Sequence, residues 1–454
     1  VSWYKPPALP ADAVVVVSLA REARRQTTAA VAPTRRDVEA SDPSKGTSFM
    51  ASNVKVNILV IGGGMICEEA TLPAIFQQKR MGNVGKVTVV SLNSAIIQRL
   101  RTVFPKEEFE GVPDPKTTPA DKNIPDGYKE CLKKLPKPGL VYVTTPDHLH
   151  TQMILDSIAA GHDVVSMKPL CLKVDEGRQI VQAANEAGVY VFTEYHKRLD
   201  RAIRGLRYRF RKGDLGEPLY GHAWIEEPKY MPLDKFKAWA HRSSPFEYIG
   251  THYVDAWYYV TNLMPRRVVG FGQKKFLPTV GSQAYDANQV VIEWSDGSVL
   301  WVQTSWVIPD NNAKMTQQGL MFAGTKGEYK ADHADRNCYF ATDEDGFKHY
   351  NPNFVKPFDD WNEEGVVDWR GYGIESNSRG ILDVQYLTEQ TAGLAPAAAL
   401  KKRKEILATW VKMNTRALPE NAMVGVAVNN AARMSFDAGG KFVTIDEKFN
   451  IAFE

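Results

Sequence analysis

The sequence predicts an α/β fold: a parallel sheet with helices on both faces, followed by an α+β part built on a mostly antiparallel sheet. Three observations lead there. Near-continuous apolar runs alternate with helix-period segments after Met50, a Gly62-Gly63-Gly64 turn sits directly behind the first run, and Asp-Gly hairpin signals begin beyond Thr193. A strand buried on both faces reads as unbroken apolar sequence, whereas strands about a tight turn read as hairpins.

Residues 1–50 stand apart. They begin with Val1, carry Pro6, Pro7 and Pro10, and run into Ala/Thr/Arg/Ser-rich sequence with seven basic and five acidic side chains. Too little apolar surface to offset chain entropy predicts disorder. With Met50 read as the native start, this stretch is a leader or non-native extension, and its five acids argue against a transit peptide.

Val56, Ile58, Leu59, Val60 and Ile61 form the first strand, and a helix from about Met65 to Gln78 follows the glycines. Strand Lys86–Ser91 comes next. A Pro-rich interval (Pro105, Pro113, Pro115, Pro119, Pro125) is too long for a connector and reads as an insertion. Strand Leu140–Thr144, helix Leu149–Ala160, strand Asp163–Met167, helix Asp175–Ala187 and strand Val189–Thr193 complete the series. Gly161 and Gly188 lie where helices should stop. Serial βαβ assigns 51–195 to the parallel-sheet domain. The remainder, 196–454, carries two strands about Ser295-Asp296-Gly297-Ser298, strand candidates at Pro265–Lys275 and Leu320–Ala323, and helices Ala398–Met413 and Ala422–Met434.

Composition narrows the function. The 454 residues are 44% hydrophobic and 24% charged, and 56 basic against 53 acidic side chains leave a net charge of only +3. So even a balance gives no electrostatic case for nucleic acid or a membrane surface as partner. The basic run from Lys197 to Lys212 has Leu199, Ile203, Leu206 and Phe210 at helical spacing, so it reads as the charged outer face of an amphipathic helix. No apolar run reaches the ~18 residues of a membrane helix. Four separated cysteines without a CxxC pair predict neither disulfides nor a zinc site; they fit a reducing compartment, and a cytoplasmic protein is expected. His148 and His150 lack a third ligand, so no metal is expected.

The chemistry begins at the first turn. Unpaired amides and partial positive charge at a helix N-terminus can hold a pyrophosphate. Gly62 would permit the tight turn and Gly64 the close approach of phosphates, with Met65 and Ile66 opening the helix; Cys67 replaces the third glycine of G-x-G-x-x-G. At the end of the second strand, where an Asp or Glu would bond the adenosine ribose, stand Ser91 and Asn93. With no carboxylate to repel a 2′-phosphate, NADPH is the expected cofactor and NADH the alternative. Arg99 and Arg101 lie a helical stretch away, and Ser91 and Asn93 can equally cap the next helix.

Four segments then occur in order: Thr144-Thr145-Pro146-Asp147-His148-Leu149-His150, a strand ending Met167-Lys168-Pro169, Gly250-Thr251-His252-Tyr253-Val254-Asp255, and Gly324-Thr325-Lys326-Gly327. Together they resemble the Gfo/Idh/MocA oxidoreductases, whose hallmark strand ends Glu-Lys-Pro; Met167 replaces that Glu. The resemblance implies a Rossmann domain followed by a domain with a large, open-faced, mostly antiparallel sheet. It places Thr144, Thr145, Pro146 and His150 beside the cofactor, and Lys168 between cofactor and substrate oxygen. It makes His252 the acid/base, with Tyr248 where the family often has Asp. Arg198 and Arg242, with Lys197 and His241, are candidates for a substrate carboxylate, and Trp239 and Phe246 for the pocket lining. The implied substrate is a sugar or sugar acid. The stretch after Met50 looks most like the fungal D-galacturonate reductases, and family members often pair through the open sheet. Another sugar or polyol dehydrogenase, the family's NAD-dependent glycosidase branch and a non-catalytic dinucleotide-binding regulator are the alternatives.

Overall fold

A computed structural model describes residues 53–358 and 367–454; the expected leader lies outside the described residues. Six strands form the first sheet: β1 (Val56–Ile61), β2 (Val84–Val90), β3 (Glu110–Val112), β4 (Gly139–Val143), β5 (Asp163–Met167) and β6 (Val191–Glu194). Their order is β3-β2-β1-β4-β5-β6 and every pairing is parallel. β4 and β5 are buried throughout, β4 as unbroken apolar sequence requires and β5 with Asp163 and Ser166 buried among its apolar residues. The order reverses between β1 and β4, so the strand carboxyl ends open a crevice there. The Pro-rich interval contributes only the short edge strand β3.

Five helices link these strands: α1 (Leu72–Arg80), α2 (Ser94–Val103), α3 (Gly127–Lys134), α4 (His150–Ala159) and α5 (Val174–Ala187). α5 ends at Gly188 with φ 61°, the left-handed stop expected there.

After β6 the chain departs from the expected single amphipathic helix. His196–Leu199 form a 3₁₀ turn, Asp200 caps α6 (Arg201–Lys212) by accepting from the Ala202 amide, and the turn directs Lys197 and Arg198 inward. Both are about as buried as any apolar core residue, at 1% and 2% exposure. Arg198 meets Asp255 through two hydrogen bonds of 2.8 and 2.6 Å and donates to Asn414 Oδ1 at 3.0 Å. The basic run is therefore not all solvated face.

The second sheet contains β7 (Pro218–Pro228), β8 (Pro265–Gln273), β9 (Ala287–Trp294), β10 (Val299–Ile308), β11 (Gln317–Gly324) and β12 (Glu328–Asp332). Its order is β12-β11-β7-β10-β9-β8, extended by two short strands, Val443–Ile445 and Ile451–Phe453. Only β7 and β10 pair in parallel. The Asp-Gly turn joins β9 to β10 as its sequence predicts, with Gly297 at φ 86°. Outward, this sheet exposes Tyr220, Phe271 and Trp301. Helix α7 (Thr251–Thr261) is buried over ten of its eleven residues.

Three long helices close the chain: α8 (Tyr372–Thr391), α9 (Pro396–Met413) and α10 (Pro419–Asp437). The residue pattern predicts the last two but not α8. This helix returns to the first sheet: Tyr142 Oη donates to the Asn377 carbonyl at 2.7 Å, and Thr71 Oγ1 to Asn377 Oδ1 at 3.0 Å.

Removing one partner of a buried ion pair leaves the other charged and desolvated. Arg198→Leu should therefore lower unfolding free energy by about 3–5 kcal/mol. Denaturant titration reads this, and the Arg198→Leu/Asp255→Leu double variant should recover most of the loss.

Candidate active site

A cavity of about 350 Å³ lies at the carboxyl ends of β1, β4, β5 and β6, closed from the other side by β7, α7 and the segment 349–356. At its entrance the glycine turn leaves β1. Gly62 has φ 108°, and a Cβ there would stand 2.7 Å from the Thr144 carbonyl oxygen, so only glycine fits. Space above Gly64 is open to 4 Å. Met65 and Ile66 begin the helical turn and line the cavity. Cys67 fills the third glycine place, buried, at the start of a π-helical turn, Cys67–Thr71; burial pushes its thiol up to about 12. The open backbone above Gly64 and the free first-turn amides suit the diphosphate of a dinucleotide.

Asn93 Oδ1 accepts from the Ile96 amide and so caps α2, while Ser91 Oγ donates to the Asn93 carbonyl at 2.7 Å. Arg99 folds back to the turn: its Nη2 donates to the Gly63 carbonyl at 2.6 Å. Arg101 instead faces Asp114 at 3.9 Å. Thr144 is buried beneath the turn, donating to the Ile61 carbonyl, and Thr145 reaches the cavity wall beside Pro146. His150 does not reach the wall. Its ring nitrogens sit 2.8 Å from the Pro169 carbonyl and 2.9 Å from the Thr145 carbonyl, bracing two turns. A neutral imidazole has one N–H, so it donates to one of these carbonyls, and the ring stands off the cavity wall where a cofactor contact was expected.

Lys168, Tyr248 and His252 meet on one wall. Lys168 Nζ donates to the Tyr248 carbonyl and lies 3.7 Å from the centroid of the Tyr248 ring. The residue is half-buried overall and lines the cavity. Desolvation brings its pKa down to about 8 against the pull of Glu227, Asp147 and Glu194. Tyr248 rises from a π-helical turn, Phe246–Gly250, and its ring packs against Phe236, Trp239 and Trp306. Burial and the Glu227 and Asp147 carboxylates hold its phenol well above the usual range. His252 Nδ1 is buried without a partner among the described residues. Burial, His196, Lys168 and Lys197 keep that imidazole's pKa well below its ordinary value.

Two family models match this chain: "Oxidoreductase family, NAD-binding Rossmann fold" over residues 56–195 and "GFO/IDH/MocA C-terminal domain" over residues 203–330, together more than half its length. The chain belongs to the Gfo/Idh/MocA oxidoreductase family. The 1,5-anhydro-D-fructose reductase of Ensifer adhaerens is 38% identical over 97 residues, 21% of this chain and 28% of that protein. The NAD(+) scyllo-inositol 2-dehydrogenase of Bacillus subtilis is 26% identical over 199 residues, 42% and 57% of the two chains. Less than two thirds of each relative is therefore spanned. The scyllo-inositol dehydrogenase of Lactobacillus casei, solved with NAD(H) and scyllo-inositol, superposes with TM-score 0.58 at 13% identity over 86% of this chain and 99% of that one. At that identity the superposition shows the shared fold.

Within this Gfo/Idh/MocA chain, the two arginines assigned to a substrate carboxylate are elsewhere. Arg198 is held by Asp255 and Asn414, and Arg242, like His241, is exposed outside the cavity. Trp239 supports Tyr248 from behind and Phe246 is core. Lys197 does face the cavity, where its Nζ donates to Gln318 Oε1 at 2.5 Å. Sequence reasoning missed Glu227, Glu194 and His196. Glu227 accepts from Trp306 Nε1 at 3.0 Å, and burial raises it to about 7 despite Lys168. An acid at the carboxyl end of a buried parallel strand was the available signal for Glu194. Nothing in the residue pattern pointed to His349, Tyr350, Asn351, Phe354 or Lys356, which lie past the second matched region and complete the wall.

Burial depresses Lys197 from 10.5 to about 7. Between those values the unfolded chain binds the extra proton, so this residue makes stability rise with pH across that window and weakens the fold most below it. Lys197→Met should flatten the slope of stability against pH across that window. Thermal midpoints measured from pH 6 to about 10 check this.

Proposed function

We propose that this chain is an NAD(P)(H)-dependent oxidoreductase acting on the carbonyl or hydroxyl group of a sugar or sugar acid. The observation carrying that reading is the convergence of Lys168 Nζ, Tyr248 and His252 on one enclosed wall beside the glycine turn. A bound dinucleotide supplies or accepts hydride at the substrate carbon. Lys168, an ammonium in a desolvated space, polarises the substrate oxygen and stabilises the charge that builds there. The apolar faces of Met65, Ile66, Met167 and Ile225 shield the reacting centre from water.

The preferred substrate is an acidic aldose, best D-galacturonate reduced to L-galactonate. Supporting it, Lys356 stands on the cavity wall in addition to Lys168 as a cationic partner for a substrate carboxylate, while Lys314 is already paired with Asp335 at 2.7 Å. The preferred cofactor is NADPH, supported by the carboxylate-free Ser91–Asn93 stretch and by Arg99 at the glycine turn. The outward aromatics Tyr220 and Trp301 support pairing with a second copy through the open sheet. Trp301→Glu should then halve the mass seen by light scattering.

Loss of reduced-nicotinamide absorbance with D-galacturonate, D-glucuronate, neutral aldoses and inositols tests the activity, uronates being expected to turn over fastest. Lys168→Met should lower kcat at least ~100-fold while dinucleotide affinity stays nearly unchanged by fluorescence titration. Near-wild-type turnover in that variant would remove Lys168 from the chemistry.

A further inference from the structure

We infer that His196, oriented by Glu194, is the acid/base group that exchanges a proton with the substrate oxygen, with His252 packed on it as a neutral partner; this rests on the oxidoreductase reading above. β6 ends at Glu194, which pairs in register with Met167, the position where the family motif carries its own glutamate. Glu194 is 1% exposed. Its Oε2 lies 3.3 Å from His196 Nδ1, and its Oε1 is buried with no partner among the described residues. An ionised carboxylate only accepts, so Nδ1 carries the hydrogen. Nε2 is then the working nitrogen, and no described group bonds to it.

The ring is held on both sides. His252 lies against it at 4.4 Å between centroids, Phe354 at 4.9 Å and Tyr372 at 5.7 Å. Both histidines line the cavity. Their electrostatic settings differ. His252 is faced by His196, Lys168 and Lys197, with no anion acting on it among the described residues. His196 is faced by Lys168 from β5, Lys197 from its own turn, His252 from α7 and the Tyr372 phenol from α8, but it has the Glu194 carboxylate against it. Burial lowers the His196 pKa and Glu194 raises it back towards its ordinary value. A base held by a carboxylate in a cavity is the arrangement that acid/base chemistry requires. In the reducing direction the proton passes from His196 Nε2 to the substrate oxygen, matched by the hydride pair that reduced nicotinamide gives to the carbon. The ring is left neutral, with Nδ1–H still on Glu194, and takes its next proton from water.

Nitrogen NMR titration of the full chain without ligands should show His196 binding its proton at higher pH than His252; the reverse order would overturn the inference with no substitution made. Glu194→Gln should move the His196 titration, and with it the fall of kcat/KM for reduction as pH rises, by about one pH unit downward. An unmoved limb refutes the positioning role of Glu194. His196→Gln should lower kcat by about 10²–10⁴-fold with dinucleotide affinity retained, and a loss under threefold refutes its catalytic role. If the unaltered protein turns over no carbonyl or polyol substrate, the oxidoreductase reading fails and the inference with it, whatever the titration order.

Discussion

The two-point contact between Arg198 and Asp255 sets the geometry on which the cavity depends. Arg198 stands two residues beyond His196 on the exit from the first sheet, and Asp255 stands three beyond His252 on α7. Locking guanidinium to carboxylate therefore brings two imidazoles from distant parts of the chain to 4.4 Å between centroids, tilted by 40°. A buried pair of this kind contributes little net stability against an apolar replacement, because both ions must leave water. Its value lies in direction: two parallel hydrogen bonds admit one relative placement of the elements that carry them.

Charge in the cavity is arranged by compensation. Lys168 faces Glu227, Asp147 and Glu194, while Lys197 has Asp200 nearby. Desolvation moves Lys168 and Glu227 towards their neutral forms, and their mutual attraction opposes it in both. At Lys168 desolvation prevails, since its ammonium rests on an aromatic face and a carbonyl instead of in direct contact with a carboxylate. The wall is consequently responsive: a substrate anion entering beside Lys168 would restore its full charge where the oxygen needs it.

Much of this was legible in the residues. Unbroken apolar runs and βαβ order gave the parallel sheet, and the Gly62 turn stands behind β1 as its spacing implies. Lys168 and His252 could be singled out by local motifs. What local pattern could not reveal was pairing at a distance. Arg198 looks like a free cation until Asp255 is placed against it, and the His150 ring lies between two backbone carbonyls that its local motif does not reveal. The amphipathic helix expected within Lys197–Lys212 forms from Arg201, where Asp200 caps it, and the 3₁₀ turn before it carries Lys197 and Arg198 into the interior. Residues 349–356 reach the cavity through a segment without periodicity, so only folding brings them in.

The return of α8 to the first sheet has a bearing on how this molecule can be dissected. Tyr142 and Thr71 both bond to Asn377, so part of the nucleotide half's interior is furnished by chain made long after it. A fragment cut after β6 would present that surface to water and forfeit the contacts. Ribosomal synthesis meets the same situation, since the first sheet emerges well before the helix that seals it. The molecule matures late, from its far end.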